Sequence, residues 1–346
     1  VIDIDESIYN RASTNDAYNL DAVAYQFENI DPDSPYSSFE DFKQNATDED
    51  MVEALNEVWR NFVISDSFEP GSTFKTFTIS GALEDGVING DEEFYCDGIQ
   101  HVADWDIKCH NVYGHGMLTV PQALEQSCND VLMQIAALEG SSIFDKYQVL
   151  FGFGQRTNVD LPGEPSSAGL STIVYHADNL HVTELATSSF GQGVCTSMMQ
   201  IGTAFCSVIN GGYYYQPSVV QRIEDDNGNI IDNLDNVLVR KTISEETSSI
   251  MRQELFGVVE NGTGKRASVE GYEIGGKTGT AEEAKNRPNH ALFIGYAPYD
   301  APEVAIAARI AYGHSSANAC DFVDDVMKLI FGMESSDKIG RASCRE

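Results

Sequence analysis

The sequence of 346 residues predicts an α/β (α+β) fold, with a central, largely antiparallel five-stranded sheet, flanking helices and a helical subdomain. The opening "VIDIDESIYNRAS" has the pattern of a strand, a turn and a second strand. Three more strand-like stretches, "YEIGGKTGTAEE", "HALFIGYAPYD" and "PEVAIAARIAYG", occupy the last third. Between them, apolar residues recur at helical spacing. We therefore expect one sheet from the hairpin and the late strands, with a helical insertion at roughly residues 85–215 beside it.

The helices can be assigned in order along the chain. After an acidic tract to about Glu49, "DEDMVEALNEVWRNF" and "STFKTFTISGAL" predict two helices. "VPQALEQSCNDVLMQIAAL" has helical periodicity on both sides of a break at Ser127-Cys128-Asn129, and "TSMMQIGTAFCSVINGG" and "SANACDFVDDVMKLIFG" predict two further helices. The polar tail, residues 334–346, follows the last of these, and we expect it to be disordered or foreign to the domain.

The bulk composition bounds the function classes. A hydrophobic content of 42% suffices for one large or two medium domains with a core. The formal net charge of −33 argues against nucleic acid and against docking on an anionic membrane surface, because both would repel the chain. No apolar run approaches the roughly 20 residues that a membrane span requires. The opening already has a strand pattern, so we expect the chain to be an internal part of a longer protein.

The seven cysteines are an odd number scattered along the chain, which does not indicate a disulfide framework. Cys128, Cys195 and Cys206 occur in apolar helical patterns and are expected to be small core residues.

The stretch "YCDGIQHVADWDIKCHNVYGH" contains enough candidates for a four-ligand zinc site, namely Cys96, His101, Cys109, His110 and His115. Their spacing matches no common zinc module. A loop disulfide between Cys96 and Cys109, or two free thiols, are the alternatives. We expect no bound metal and no cofactor.

The stretch "EPGSTFKTF" places Ser72 and Lys75 three residues apart after a Pro-Gly break. Serine is a favoured helix N-cap, so Ser72 has an ordinary structural interpretation. However, a capping box requires Glu or Gln where Lys75 stands, and a cation in the first turn faces the positive end of the helix dipole. The alternative is a nucleophile with its base. The spacing alone does not decide, because Ser335 and Lys338 repeat it in the tail.

Two further motifs favour the nucleophile. Ser-x-Asn occurs at residues 127–129, between two predicted helices, although it also occurs at residues 13–15 and 316–318. Lys-Thr-Gly occurs once, at residues 277–279, on a predicted strand. In this order and context, each of the three motifs lies where such chemistry would need it.

The triplet resembles the signature of penicillin-binding proteins and class A β-lactamases. From residue 1 to about residue 333 the chain resembles the transpeptidase domain of a class B penicillin-binding protein, which crosslinks peptidoglycan in septation, elongation or sporulation. Further segments share the resemblance, in the family's order: "SDSFEPGSTFK", "LEQSCN", "FGFGQRTNVDLPGE", "FGQG", "GYEIGGKTGTAE" and "FIGYAP". The resemblance implies the penicillin-binding transpeptidase, or serine β-lactamase-like, fold, preceded in the whole protein by a membrane anchor and a pedestal domain.

The resemblance also implies a role for each motif residue. Ser72 would be the nucleophile, Ser127 would relay protons between the two lysines and the leaving amine, and Asn129 would hold the substrate's peptide group. The implied catalytic residues are Ser72, Lys75, Ser127, Asn129 and Lys277; substrate would be bound by Thr278, Gly279 and Thr280, and the backbone N–H groups of Ser72 and Thr280 would form the oxyanion hole.

The residues also fit this chemistry by themselves. A serine hydroxyl needs a base within reach, and Lys75 lies one helical turn from Ser72. The pKa of that lysine must fall by roughly 3 from about 10.4, which burial, the helix N-terminus and the second cation Lys277 all favour. Which group is the general base stays open.

On the Lys-Thr-Gly strand, the two-residue period places Thr278 and Thr280 on one face. Gly275, Gly276 and Gly279 indicate either a close backbone approach or a bulge.

Three activities fit these residues: a transpeptidase, a β-lactamase, or a penicillin sensor that is acylated once. The sequence lacks the Glu-x-x-Leu-Asn segment of class A β-lactamases, and its second motif is Ser-Cys-Asn where class D enzymes have Ser-x-Val. We expect the transpeptidase. Its partners would be peptidoglycan stem peptides ending in D-Ala-D-Ala, β-lactam antibiotics, a membrane glycosyltransferase and the cell-wall synthesis machinery, with no nucleic acid. Its place would be the extracytoplasmic face of the bacterial cell membrane.

Overall fold

The computed structural model of the protein describes residues 34–170, 173–225, 227–281 and 288–332. They belong to two compact units, of which the first ends at Phe62 and the second begins at Val63. The predicted opening hairpin and the predicted tail at 334–346 lie outside the described residues.

The described elements are as follows. The α-helices are α1 Phe39–Asn45, α2 Asp48–Trp59, α3 Phe62–Ser65, α4 Lys75–Glu84, α5 Val120–Glu125, α6 Asn129–Leu150, α7 Ser167–Leu170, α8 Val182–Ser188, α9 Met198–Ile209, α10 Glu245–Glu260 and α11 Ser316–Ile330. The strands are β1 Glu93–Cys96, β2 Ile99–Val102, β3 Trp105–Lys108, β4 Gly116–Thr119, β5 Tyr213–Tyr215, β6 Arg222–Glu224, β7 Ile230–Asn233, β8 Leu238–Lys241, β9 Gly275–Ala281, β10 His290–Ala297 and β11 Val304–Ile310.

The first unit contains α1 and α2. Ser38 caps α1 because its side chain accepts a hydrogen bond from the Asp41 backbone N–H, at 3.1 Å. Phe42, Ala54 and Leu55 form a small buried cluster between the two helices. The helix predicted from "DEDMVEALNEVWRNF" is confirmed as α2.

The sheet of the second unit has the strand order β11-β10-β9, and both pairings are antiparallel. The three late strands predicted from the sequence are confirmed. The other two of the predicted five fall in the opening hairpin, outside the described residues. Helix α11 packs on this sheet: Val323 and Met327 share a buried cluster with Phe293 of β10. Strand β10 is the centre of this three-stranded sheet because it pairs on both sides, and it is buried along its whole length.

Helix α4 is the central helix of the second unit, because all residues from Lys75 to Ala82 are buried. Aromatic contacts hold its N-terminal end: the rings of Phe74 and Phe153 lie 4.8 Å apart, and those of Phe77 and Phe151 lie 5.2 Å apart. The "FGFG" segment at residues 151–154 therefore fixes the start of α4, where the Ser-x-x-Lys motif lies.

The middle of the chain is less purely helical than the sequence predicted. Two small antiparallel pairs, β1 with β4 and β2 with β3, lie between α4 and α5. Each strand has only four residues, too few for alternation to be recognised against the surrounding polar sequence. Of the cysteines predicted to be core residues, Cys128 is buried, whereas Cys195 is half-buried and Cys206 is exposed. The polar residues of helix α9, Gln200, Thr203 and Ser207, are buried, so its pattern did not identify the face that meets solvent.

Among the described helices, none combines the length and the apolar character needed to cross a membrane.

Glu139, inside α6, is a buried acid without an evident partner. Its side chain lies against Gly81 of α4, and neither carboxylate oxygen has a hydrogen-bond partner among the described residues. Burial raises the pKa of Glu139 to about 8, and the charge of Asp85 adds to the effect. The native state therefore binds a proton there at neutral pH that the unfolded chain does not.

We expect Glu139→Gln to stabilise the protein more at high pH than at low pH. With the native pKa raised above its ordinary value, the acid's contribution to stability is complete below about pH 4.5 and is lost as the pH rises toward 8. The loss is on the order of 1 kcal/mol per pH unit in that window. Urea unfolding at about pH 5 and pH 8 measures it. The exposed Glu260→Gln is the control, and equal pH dependence in both variants would contradict the prediction.

Candidate active site

Ser72 lies in a tight turn and does not cap a helix. Residues Gly71–Phe74 form a 3₁₀ turn, and α4 begins at Lys75; neither element has a side-chain cap. The capping interpretation of Ser72 is therefore wrong. Its side chain is half-buried and lines a cavity of about 380 Å³.

Glycines hold this turn close to strand β9. Gly71 has φ of +51°, and a Cβ there would lie 2.3 Å from the Thr280 carbonyl oxygen. A Cβ on Gly279 would lie 2.7 Å from the methyl group of Thr73. The pairing of β9 with β10 runs in continuous register, so the bulge interpretation of the strand glycines is wrong and the close approach is confirmed. The absence of side chains at both positions brings Ser72 beside Thr280.

Lys75 is completely buried and directs its ammonium group at the Ser-x-Asn turn. Its Nζ donates to the carbonyl oxygen of Ser127 at 2.6 Å, to Ser127 Oγ at 3.1 Å and to Asn129 Oδ1 at 2.6 Å. An ammonium group has three donors, so these bonds use all of them. Within the described part of the chain, no hydrogen bond joins Lys75 to Ser72.

The Ser127 hydroxyl lies between two lysines. Lys277, also fully buried, donates to Ser127 Oγ at 3.1 Å and to the Thr278 carbonyl oxygen at 2.9 Å. Ser127 adopts φ of +53° in the break between α5 and α6, a conformation uncommon outside glycine. This backbone turns the Ser127 hydroxyl toward both lysines, and such outliers concentrate at functional sites.

Burial makes both lysines poor cations. It lowers the pKa of Lys75 to about 7, against the smaller opposing effect of Cys128 and Cys109. Burial, together with the charge of Lys75, holds the pKa of Lys277 well below its ordinary value. The site can therefore contain a neutral amine near neutral pH, which is what proton transfer from a serine requires.

Residues from all three motifs line the same cavity. Most of the predicted site residues line it directly: Ser72, Ser127, Asn129, Thr278, Gly279 and Thr280. The two lysines lie in its wall, buried behind Ser127. Thr278 and Thr280 line the same cavity, as strand alternation predicted.

Comparison with known proteins places the chain in a family. A family model described as the penicillin binding protein transpeptidase domain matches residues 35–328. The chain belongs to this family. The class B resemblance found in the motifs is confirmed, and so is the fold class.

The names of individual similar proteins agree with this family. Stage V sporulation protein D of Bacillus subtilis is 36% identical over 258 residues, which are 72% of this chain and 39% of that protein. Peptidoglycan D,D-transpeptidase MrdA of Acinetobacter baumannii is 27% identical over 293 residues, 77% of this chain and 43% of that protein. The D,D-transpeptidase domain of a peptidoglycan glycosyltransferase from Eggerthella lenta superposes with a TM-score of 0.70 at 26% identity, covering 85% of this chain and 70% of that one. The chain therefore spans less than half the length of these two curated relatives.

The structure adds residues that the sequence interpretation had not placed in this site. Thr263 donates or accepts a 2.7 Å hydrogen bond with the Thr278 hydroxyl, and its backbone N–H bonds to the Glu125 carbonyl at the end of α5. The other additional lining residues are Gly71, His110, Phe190, Gln192, Asn289 and Ser316. The "FGQG" segment could have indicated Phe190 and Gln192, and the Ser-x-Asn copy at 316–318 could have indicated Ser316. No motif in the sequence pointed to Thr263.

We expect β-lactam acylation of this domain to accelerate as the pH rises toward about 7 and to level off above it. Below that pH Lys75 is protonated and cannot accept a proton; above it the amine is free. Stopped-flow acylation by nitrocefin between about pH 5.5 and 8.5 measures the profile, with circular dichroism at each pH to verify folding. A rate constant that stays flat across this range would show that Lys75 does not control the step.

Proposed function

We propose that the protein is a serine-type peptidoglycan D,D-transpeptidase that crosslinks stem peptides through an acyl intermediate on Ser72. The observation that carries the proposal is the Ser127 hydroxyl, 3.1 Å from both Lys75 Nζ and Lys277 Nζ, in a cavity lined by Ser72 and Thr280. A nucleophile, a neutral amine and a proton relay thus meet in one site. The D,D-transpeptidase names of its relatives support the same reaction.

The chemistry follows from this arrangement. Ser72 Oγ attacks the carbonyl carbon of the penultimate D-alanine while its proton passes to the Lys75 amine. The tetrahedral oxyanion is held by the backbone N–H groups of Ser72 and Thr280. When the C–N bond breaks, the terminal D-alanine leaves with a proton relayed through Ser127 from the lysines. An amine of a neighbouring stem peptide then attacks the Ser72 ester, forms the crosslink and restores the free serine.

Strand β9 and the Ser-x-Asn turn orient the substrate. Thr278 and Thr280 offer hydroxyls to the terminal carboxylate, and Gly279 keeps the strand backbone accessible. The negative charge of the bound carboxylate favours the protonated form of Lys277, which then adds positive charge. The Asn129 amide, held by Lys75, is placed to bond the substrate's peptide group. Because a β-lactam presents a similar carboxylate and acyl group, we propose that penicillin acylates the same serine.

We also propose that the whole protein acts at the extracytoplasmic face of the bacterial cell membrane, anchored by an N-terminal helix, beside a membrane glycosyltransferase that supplies glycan strands. The support is chemical: crosslinkable stem peptides are presented there. Protease accessibility of the full-length protein in intact protoplasts tests this location. A full-length gene without any export signal would contradict it.

The lifetime of the acyl enzyme distinguishes the transpeptidase from other serine acyl enzymes. Hydrolysis needs a second base that activates water, and the sequence has no class A glutamate segment; lacking such a base slows a step by about 10²–10⁴-fold. Nitrocefin should give a burst of about one equivalent and then nearly stop. A D-Ala-D-Ala-like thioester with a D-amino acid acceptor should give steady transfer, which Ser72→Ala lacks. Sustained nitrocefin turnover would instead indicate a β-lactamase, and a burst without transfer would indicate a penicillin sensor.

A further inference from the structure

Three cysteines and a histidine converge in a buried cluster directly behind the Ser-x-Asn turn. The Sγ atoms of Cys96, Cys109 and Cys128 and one ring nitrogen of His115 all lie within 4.8 Å of one another. The three cysteines are at most 1% exposed and His115 is half-buried. The catalytic chemistry proposed above uses none of these four side chains.

The fold brings the four residues together from separate places in the sequence. Cys96 is the last residue of β1 and Cys109 directly follows β3, so the two flank the β2–β3 hairpin; the Cys109 backbone N–H donates to the Gly98 carbonyl at 2.9 Å. His115 precedes β4, whose pairing with β1 sets Gly116 opposite Cys96. Cys128 comes from the break between α5 and α6.

We propose that this cluster is a structural zinc site, with Cys96, Cys109, Cys128 and His115 as its four ligands. Three thiolates and one imidazole form a ligand set typical of closed, tetrahedral zinc sites. Zinc bonds of about 2.3 Å to sulfur and 2.0–2.1 Å to nitrogen place tetrahedral ligand atoms about 3.8 Å apart for S–S pairs and about 3.6 Å for S–N pairs. The Cys109–Cys128 Sγ separation is 3.8 Å, and His115 Nδ1 lies 3.4 Å from Cys96 Sγ and 3.8 Å from Cys109 Sγ.

The polar surroundings hold the ligands in place. Asp130, fully buried at the start of α6, accepts hydrogen bonds from Gln100 of β2 at 2.7 Å and from Gln134 at 2.8 Å. This ties the hairpin that Cys96 and Cys109 flank to the helix that follows Cys128. Such outer contacts are the usual support of a metal site.

The sequence spacing alone predicted no metal, because the fourth ligand lies outside the stretch that suggested zinc. Cys128 is 19 residues beyond Cys109 and had been assigned to the core. Of the other candidates, His101 is exposed and pairs with Asp106 by a 2.5 Å contact, and His110 lines the active-site cavity. The three cluster cysteines are free thiols, so the Cys96–Cys109 disulfide is not formed.

The site would position catalytic residues without touching substrate. Cys128 stands between Ser127 and Asn129, the two residues that bond Lys75. A zinc ion bound to Cys128 Sγ would fix the strained Ser127 turn to the β2–β3 hairpin, and Cys109 would fix its neighbour His110 at the cavity wall. The metal-binding inference itself does not depend on the proposed reaction.

Metal content tests the proposal. We expect the chain, purified without chelator or metal-affinity steps, to contain one zinc per molecule by inductively coupled plasma mass spectrometry. Cys109→Ser and His115→Ala should lose most of it. Cys206→Ser and His101→Ala, which change an exposed cysteine and an exposed histidine outside the cluster, should retain it. Cobalt substitution should give thiolate charge-transfer absorption in the wild type and the control variants.

Zinc removal provides a readout that does not require the ligand variants to fold. Stripping the wild type with a strong chelator under reducing conditions should lower Tm by at least about 5 °C and expose three additional thiols; added zinc should reverse both, whereas magnesium should not. β-Lactam acylation should slow in parallel. Zinc content near zero together with no rise in Tm on zinc addition would overturn the proposal, as would a disulfide between two cluster cysteines in the native protein.

Discussion

Ser72→Ala should abolish covalent labelling by fluorescent penicillin. The Ser72 side chain lies on the turn before α4 and lines the cavity beside Thr280. The proposed chemistry uses no other oxygen as the nucleophile. Ser72 is half-buried and caps no helix, so the free energy of unfolding should change by no more than about 0.5 kcal/mol. Gel fluorescence measures the label, and mass spectrometry of the labelled peptide in the parent locates it.

The cavity provides a matched control for this experiment. Ser316 is a second serine in the cavity lining, so Ser316→Ala should label at a rate close to that of the parent. An adduct on Ser127 or Ser335, or labelling that survives in Ser72→Ala, would show that the nucleophile has been assigned incorrectly.

Lys75→Met should slow acylation by about 10²–10⁴-fold while leaving a folded protein. Methionine has a similar length and fills the buried space, but it cannot accept the Ser72 proton. The Ser127 carbonyl and Asn129 Oδ1 each lose a donor, which costs about 1–3 kcal/mol per unsatisfied group. Removing a buried cation offsets part of this cost. Single-turnover kinetics with nitrocefin give the rate, and thermal unfolding gives the stability.

A lysine outside the buried network separates catalysis from a general charge effect. Lys108 on β3 is exposed, so Lys108→Met removes one positive charge without disturbing the buried network. Its acylation rate should match that of the parent. If Lys75→Met also acylated at the parent's rate, Lys75 would have only a structural role.

Much of the local structure could be predicted from the sequence. Helix α2, the helices on either side of Ser127–Asn129 and the three strands β9, β10 and β11 all occur where periodicity and turn residues placed them. Each of these patterns records which side of one element is buried, and that information is contained in neighbouring residues. The short β1–β4 strands were missed because four residues carry too little of this signal.

The sequence by itself therefore determined the order of these longer elements, the three motifs and the family that they indicate. Only the tertiary structure decided that Ser72 is in a 3₁₀ turn, that Lys75 bonds Ser127, 52 residues away, and that Cys128 meets Cys96 and Cys109. The physical reason is that side chains on different elements meet through packing: Gly71 against Thr280, and the phenylalanines of residues 151–154 against α4. Local periodicity reports how one element faces its core, but not which side chain on another element lies opposite.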